Sequence, residues 1–570
     1  VEGARLNLST TQWDAARSAV SHLPLVIGVT GHRDLRRADF PVYQQRVREL
    51  FETLRRQYPG TPLRVISALA EGADRLVAEV ALASGCELIA ALPLEPGEYE
   101  HDFPDSIAEF RALLSRIPSQ QVFAIPLAEG STGHSVRESA ADRVRQYAQV
   151  GDFIALHSHL LVALWDGEAS ATDAGTAGVV RMKLEGSHTF RETGDGALDT
   201  QDSGPVYQIK AQRDGAAASA TGEAVWLYPE EAGEETFRTV CGRIERFNAD
   251  AARTRIASSA AQVADELLAG VNDPQPEERM LAAAFGEADR LAAYYQRITH
   301  RVLRFTLLLA ASLTLTFEVY AEVMPVRALP ILYLAIFASI TLMYLWQRRT
   351  DAQGRYLDYR AVAEGLRVQF YWRLAGLPDS ASTNYLRKQL DELRWIREAL
   401  RGCATLPPRA QPRMERVFED WIKGQTRYFR ARTAHQEHLM HRIEWASGAF
   451  LATGLIAALA LVVLWPALER HAGVHHWIVL VMGFTPIAAA LAEAFAEKSA
   501  LRAQANQYAR FATIFQHAET VMTRLQSRAP GAERSAAERA VVRQLGREAL
   551  MESGDWVLLL RERPLVLPKG

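Results

Sequence analysis

Three short stretches of this 570-residue chain hold the residue types that bind phosphates and ribose hydroxyls, and each directly follows an apolar run. The first is Val29 to Asp34, VTGHRD. Gly31 would let backbone N–H groups approach a phosphate, and Arg33 could pair with it through two nitrogens. Gly28, Thr30, Gly31, His32 and Arg33 are therefore candidate ligand contacts; the plainer reading is a turn made by Gly31 beside a solvated Arg33. The second stretch, Ser67 to Arg75, reads SALAEGADR. Its small residues suit close approach of a ligand, and Glu71 or Asp74 is placed to accept ribose hydroxyl protons. Ala68, Ala70, Glu71, Gly72, Asp74 and Arg75 join the candidates, with Asp74 as a helix cap or salt-bridge partner as the alternative. The third pairs Leu164-Trp165-Asp166-Gly167 with AGTAGVV at Ala174 to Val180. A Gly-Thr turn ahead of a helix start offers backbone donors to an anion, which adds Trp165, Asp166, Gly167, Gly175, Thr176 and Ala177. Three such turns after successive strands point to one crevice.

Apolar periodicity supplies the frame that would hold these turns. Leu25 to Val29 is strand-like and Tyr43 to Tyr58 helical, with apolar residues at Val47, Leu50, Phe51 and Leu54. The alternation continues through strands at Leu63 to Ala68, Glu87 to Leu92, Gln121 to Pro126 and Leu160 to Trp165. Helices fall between them at Arg75 to Ser84, Ser106 to Ser115 and around Val136 to Val150. Strands apolar on both faces imply a mostly parallel sheet covered by helices, an α/β domain. Residues 168–218 turn to Gly, Ala, Ser, Thr and Asp and read as a low-complexity insertion, with Val206 to Ile209 and Ala224 to Leu227 returning as edge strands. The α/β domain is thus assigned to 1–232 and a helical linker to 233–301.

The C-terminal half has a different character. Trp445 to Leu468 passes without one Asp, Glu, Lys or Arg and is long enough to cross a bilayer, with Val474 to Ala492 returning. Val302 to Tyr320, with Arg304 and Glu318 near its ends, and Ala328 to Trp346 make an earlier pair. Four transmembrane helices in two tandem hairpin units follow, the units assigned to 302–400 and 401–570. Arg297, Arg301, Arg304, Arg348, Arg349 and Arg442 flank one side of the spans, which predicts cytoplasmic soluble portions on an inner membrane. The N-terminal residues show no signal-peptide pattern, in keeping with that side. Hydroxyl side chains within the spans are few (Ser312, Thr314, Thr316, Ser339, Thr341, Ser447, Thr453 and Thr485), so a gate would be apolar and formed by a homo-oligomer. A net charge of -3 and no long basic block argue against a nucleic-acid partner. Cys86, Cys241 and Cys403 lie far apart, and His157, His159, His475 and His476 lack converging carboxylates, so neither disulfides nor a metal site is expected. No catalytic signature of the GxSxG, HExxH or GxxxxGK[ST] type occurs, and no cofactor is called for.

The GHR turn, EGADRLVAE, the Leu92-Pro93-Leu94 to Phe103 stretch and the LWDG plus AGTAGVV pair resemble the SLOG superfamily of Rossmann-like domains over about Leu23 to Leu227. That superfamily includes LOG phosphoribohydrolases, DprA-type proteins and the N-terminal regions of TRPM channels. The resemblance implies a nucleotide-type ligand such as NAD or ADP-ribose. RYLDYRAVAEGLRVQFYW and the tail ESGDWVLLLRERPL resemble SLATT membrane proteins over roughly Leu281 to Leu565, which implies an effector of bacterial conflict or antiphage defence. LOG hydrolases carry PGGxGTxxE with a catalytic Glu; setting Gly175-Thr176 on its GT puts Val179 at that Glu and Asp173-Ala174 over the preceding positions. An isopropyl group exchanges no protons, so the reading leans to a ligand-gated ion channel or other effector with no catalytic residue, with a tethered phosphoribohydrolase or nucleosidase as the alternative.

Overall fold

Strands with apolar side chains on both faces need cover on both sides. The computed structural model describes residues 22–168, 175–186, 202–215, 221–254, 256–385, 393–468 and 472–561. Asp173 and Ala174, the hairpin tip at Glu469 and Arg470, and the tail beyond Arg561 lie outside them. One sheet runs β4-β3-β2-β1-β5-β6-β7, built from β1 (Leu25–Gly31), β2 (Leu63–Ser67), β3 (Glu87–Leu92), β4 (Val122–Ala124), β5 (Leu160–Trp165), β6 (Val206–Lys210) and β7 (Ala224–Leu227). Only β6 and β7 pair antiparallel. Helices α1 (Phe40–Gln57), α2 (Ala73–Ala83) and α3 (Ile107–Leu114) cover the face of Leu25, Ile27 and Val29. The opposite face, with Val26, Leu161 and Ala163, is covered by α4 (Ala140–His157) and α5 (Thr176–Glu185). The chain steps outward from β1 to β4 and then returns on the other side of β1 as β5. That reversal leaves a crevice beyond the carboxyl ends of β1 and β5.

Two local expectations change. The helix around Val136 to Val150 is two helices, Gly133–Glu138 and α4, because the Ser139 side chain accepts from Asp142 N and starts a new helix. Of the two expected edge strands, only β7 is one; β6 lies inside the sheet, parallel to β5.

The segment 233–301, expected as a helical linker, is largely helical among the described residues. It holds α6 (Glu234–Arg253), α7 (Ala257–Leu268) and the start of α8 (Pro276–Glu318). The buried face of α6 carries Val240, Cys241, Ile244 and Phe247, and Asn248 pairs with both Leu23 N and Leu23 O at 3.0 Å. After α8 come α9 (Ala328–Thr350), α10 (Ala352–Leu374) and α11 (Arg394–Cys403). By contacts the chain forms two compact units, one of residues up to Ala288 with Val362–Arg413, the other Asp289–Ala361 with residues from Met414 onward. The boundary expected at 400 therefore falls inside the first unit. The cause is α11, which carries buried Trp395, Ile396, Ala399 and Leu400 to the amino edge of the sheet. There His159 Nε2 donates to Glu398 O at 2.7 Å, and Arg64 Nη1 donates to Gly402 O at 2.9 Å.

The second unit is all helical. Beyond the rest of α8 and a π-helical turn, Val319–Val323, it contains α9, α12 (Gly424–Val463), α13 (Ala472–Lys498), α14 (Leu501–Gln526) and α15 (Ala532–Arg561). Four segments, Pro276–Val323, Ala328–Leu374, Met414–Val463 and Gly473–Gln526, are long and apolar enough to cross a membrane, and this is a membrane protein. Each first span of a hairpin continues the polar helix before it. Each second span meets the next helix at a left-handed non-glycine residue, Asp351 (φ 46°) in one hairpin and Ala500 (φ 50°) in the other. L-residues adopt that conformation at a cost, so its recurrence at matching places marks the two hairpins as variants of one plan. Within the second hairpin, α12 packs on α13 at Gly454, where an added Cβ would lie 2.5 Å from Thr485 Oγ1.

Candidate functional site

A cavity of about 270 Å³ opens at the switch between β1 and β5. Its walls come from the turns after β1 and β2, from α4, and from the start of α5. Each turn is held by backbone contacts that the sequence anticipates only in part.

After β1, His32 N donates to Leu164 O at 3.0 Å, which extends the β1–β5 ladder by one residue. His32 O accepts from Ala73 N at 3.0 Å, so the turn also caps the start of α2. Gly31 sits where nothing larger fits: a Cβ there would be 2.3 Å from Ala73 Cβ and 2.7 Å from Leu164 O. Its smallness serves strand–helix packing, so Gly31→Val disrupts the fold itself and not only a ligand contact. Gly28 is likewise a packing residue, facing Ile154 of α4 and Ser158 just beyond it rather than the cavity.

After β2 the chain wraps tightly around one carboxyl group. Asp74, almost fully buried, accepts from the N–H groups of Ala68 and Ala70 and from the Ser67 hydroxyl. Leu69 takes a left-handed conformation (φ 55°) to present them, and Gly72 (φ 75°) lies so close to His32 O and Arg33 O that a Cβ would sit within 2.5 Å of each. Burial pushes the Asp74 carboxyl up to about 7, against the pull of those donors and of Arg33. Glu71 and Arg75 turn away from the cavity. Arg75 donates to Leu69 O at 3.1 Å and Ser106 Oγ at 2.7 Å over the ring of Phe103, and Ser106 Oγ in turn donates to Glu71. Both fasten the turn to the loop before α3, which displaces the reading of Glu71 as a ribose acceptor.

After β5, Asp166 pairs with His32 at 3.0 Å and accepts from Glu168 N, while Gly167 reverses the chain with φ 95°. Trp165 Nε1 donates to Glu168 O. Burial lowers the His32 pKa, partly offset by Asp166, so Asp166 orients a buried imidazole instead of facing the cavity. Gly175 and Thr176 do line it, at the N-terminus of α5, whose N-cap Gly175 supplies no side-chain acceptor. Among the described residues no side chain caps the first N–H groups of that helix, which suits an anionic ligand.

The structure brings Thr30, Gly31, His32, Arg33, Ala68, Ala70, Asp74, Gly175 and Thr176 to the cavity, and leaves Gly28, Glu71, Gly72, Arg75, Trp165, Asp166, Gly167 and Ala177 outside its lining. Arg33 lies over the Tyr147 ring at 4.6 Å and has no ion pair among the described residues. Sequence reasoning missed Tyr99, Tyr147, Asp34 and Arg213. Tyr99 is 1% exposed, its hydroxyl has no hydrogen-bond partner among the described residues, and burial raises its pKa. Tyr147 Oη is also buried without a partner. Tyr147 stands on an expected helix and Tyr99 beside the quoted Leu92 to Phe103 stretch, but no spacing rule aims either ring at a turn 50 or more residues away. Val179, at the position of the LOG glutamate, lines the cavity as an apolar wall and fills the space above Gly151. Gln146, fully buried, holds the walls by donating to Pro93 O at 2.7 Å and Pro126 O at 3.1 Å.

A wider recess bounded by Glu98, His101, Asp102, Arg137 and Arg143 is less promising, since Arg137 takes Glu98 at 2.9 Å and Arg143 takes Asp102 at 2.5 Å. Among the described residues no three His, Cys, Asp or Glu side chains gather as metal ligands would. Comparison with protein-family models, with curated proteins and with solved structures finds no match in any of the three.

Proposed function

We propose that the protein is a membrane-bound sensor: its α/β unit binds a nucleotide-derived ligand of NAD or ADP-ribose type, and its spans respond by forming a pore or perturbing the bilayer. In this reading it acts as a homo-oligomer in the inner membrane, with the α/β unit in the cytoplasm, in bacterial defence. One observation carries it. Arg33, a cation with no ion pair among the described residues, shares a cavity with the N-terminus of α5, which no described side chain caps. A phosphate would satisfy both, as oriented N–H groups and a guanidinium each favour a dianion. The Tyr147 ring offers a face to a base, and the Tyr99 hydroxyl and Asp74 offer polar partners to a ribose.

The link to the membrane is covalent. Helix α8 runs unbroken from Pro276 to Glu318, so a helix that begins in the first unit ends as a span of the second. Ligand binding shifts the spans only if it favours one of their packings over another. A Gly-Ser insertion near Ala293 should leave ligand affinity intact and abolish ligand-triggered permeability; unchanged permeability would exclude α8 as the route.

Asp74 supports a second reading, a membrane-tethered phosphoribohydrolase. A carboxyl titrating near 7 beside a candidate phosphate site suits general acid–base work. Val179 weighs against it, because no carboxylate stands where that reaction needs one. Purified full-length protein incubated with NAD, ADP-ribose and nucleoside monophosphates separates the two. Saturable binding without turnover supports the sensor, turnover lost in Asp74→Asn supports the hydrolase, and the absence of both removes the nucleotide reading.

A further inference from the structure

Between their flanking charges the four spans hold almost nothing ionisable. Phe305 to Phe317, Ala328 to Trp346, Trp445 to Leu468 and Trp477 to Ala492 contain no Asp, Glu, Lys or Arg. The span hydroxyls are mostly spent locally: those of Ser312, Thr314, Thr316, Ser339, Thr341, Thr453 and Thr485 each donate to the carbonyl four residues back in their own helix. Glu318 stands apart. It ends α8 where the helix widens into the π turn Val319–Val323, and that turn packs against α13. Its carboxylate oxygens lie 3.2 and 3.3 Å from where a Cβ on Gly483 would be, so the group rests on the bare backbone of α13. Gly483 is ten residues beyond Gly473, the start of its apolar segment, or about 15 Å along the helix at 1.5 Å per residue. Glu318 has no hydrogen bond and no ion pair among the described residues. The ionisable groups nearest in sequence on the facing elements are Tyr320 and Glu322 of the π turn and His476 and Glu493 of α13; α12 has none from Trp445 to Leu468.

A lone carboxylate at that depth is costly, and such groups in spans mark ion or proton sites. A second candidate oxygen belongs to the same turn of α13. Pro486 interrupts α13 and has no N–H, so the carbonyl of Met482, the neighbour of Gly483, loses its helical donor. A carboxylate and a proline-freed carbonyl are hard oxygen ligands of the kind that hold monovalent cations where membrane helices are broken. We propose that Glu318 and the Met482 carbonyl form an intramembrane monovalent-cation site at the contact of the first and fourth spans, filled by a proton or an alkali ion. The site does not depend on what the cavity of the α/β unit binds.

Dicyclohexylcarbodiimide, which reacts with carboxyls in apolar surroundings, tests this on the full-length protein in lipid vesicles, with peptide mass spectrometry resolving Glu318 from Glu322. Glu318 should be modified at least several-fold faster than Glu322. Slowing by sodium or potassium chloride relative to choline chloride would assign an alkali ion. Labelling that falls as pH rises and ignores those salts would assign a proton. Pro486→Ala, which returns an N–H to Met482, should leave Glu318 reactive and weaken the salt or pH effect several-fold. Glu318 reacting no faster than Glu322 under all these conditions, or an unaltered salt and pH response in Pro486→Ala, would overturn the site as drawn.

Discussion

The two ends of the one sheet treat polar groups in opposite ways. At the amino edge the buried ionisable side chains His159, Lys183, Asp202, Glu398 and Arg401 each have a partner. His159 accepts from Val26 N at 2.8 Å and donates to Glu398 O, and burial holds its pKa down to about 4, in the neutral form that can do both. Asp202 takes Arg397 and, at 2.5 Å, Arg401, which also holds Glu398 at 2.8 Å. Lys183 donates to Ala155 O and Ser158 O, with burial lowering its pKa to about 7. At the carboxyl edge the exposed Arg33 has an aromatic face but no ion pair among the described residues, and the buried Tyr99 and half-buried Tyr147 carry hydroxyls with no hydrogen-bond partner among them. Buried polar groups are costly unless satisfied, so a satisfied cluster reads as architecture and an unsatisfied one as a place kept for a partner.

The contrast breaks most easily at the amino edge. Asp202→Ala removes a shared carboxylate from two buried guanidiniums, of which Arg401 keeps Glu398, and should destabilise the first unit by about 3–5 kcal/mol, read as a lowered denaturation midpoint of the full-length protein. A loss no larger than that of an exposed substitution would mean the network is not structural. Next in size, His159→Leu leaves Val26 N without its acceptor and takes one donor from Glu398 O, and should cost about 2 kcal/mol by the same measurement.

At the carboxyl edge the expected effects on stability are smaller and the effects on binding larger. Asp74 titrates near 7 when folded and near 4 when unfolded, so its contribution is whole below pH ~4 and is lost as pH rises through about 7. The parent should therefore lose stability over that interval relative to Asp74→Asn, whose melting lacks this component. Parallel pH profiles for the two proteins would show the carboxyl to be ionised throughout. The smallest effect on stability belongs to Arg33→Gln, within about 0.5 kcal/mol. The same change should weaken phosphate-bearing ligands by about tenfold or more; equal affinity in both proteins would make Arg33 a surface residue and nothing else.

Much of the frame was legible in the chain alone. Apolar runs of five or six residues and periodic helices between them located β1 to β5, since burial on both faces leaves a pattern that neighbours in sequence reveal. Long uncharged stretches located the four spans for the same local reason. What the sequence could not decide was which polar groups remain unsatisfied. Glu71, Arg75 and Asp166 look like binders because their types and turns are right, yet Ser106 and His32 occupy them. Tyr147 enters the cavity only because the crossover to β5 brings α4 beside the turn after β2, and Tyr99 comes to it from the short helix Pro96–Tyr99 that follows β3. The docking of α11, from between the second and third spans, on the edge formed by His159 and Arg64 was equally hidden. Periodicity is a property of nearest neighbours and is written in the chain; satisfaction of a buried donor depends on residues about two hundred positions away, and only the packed structure brings them within 3 Å.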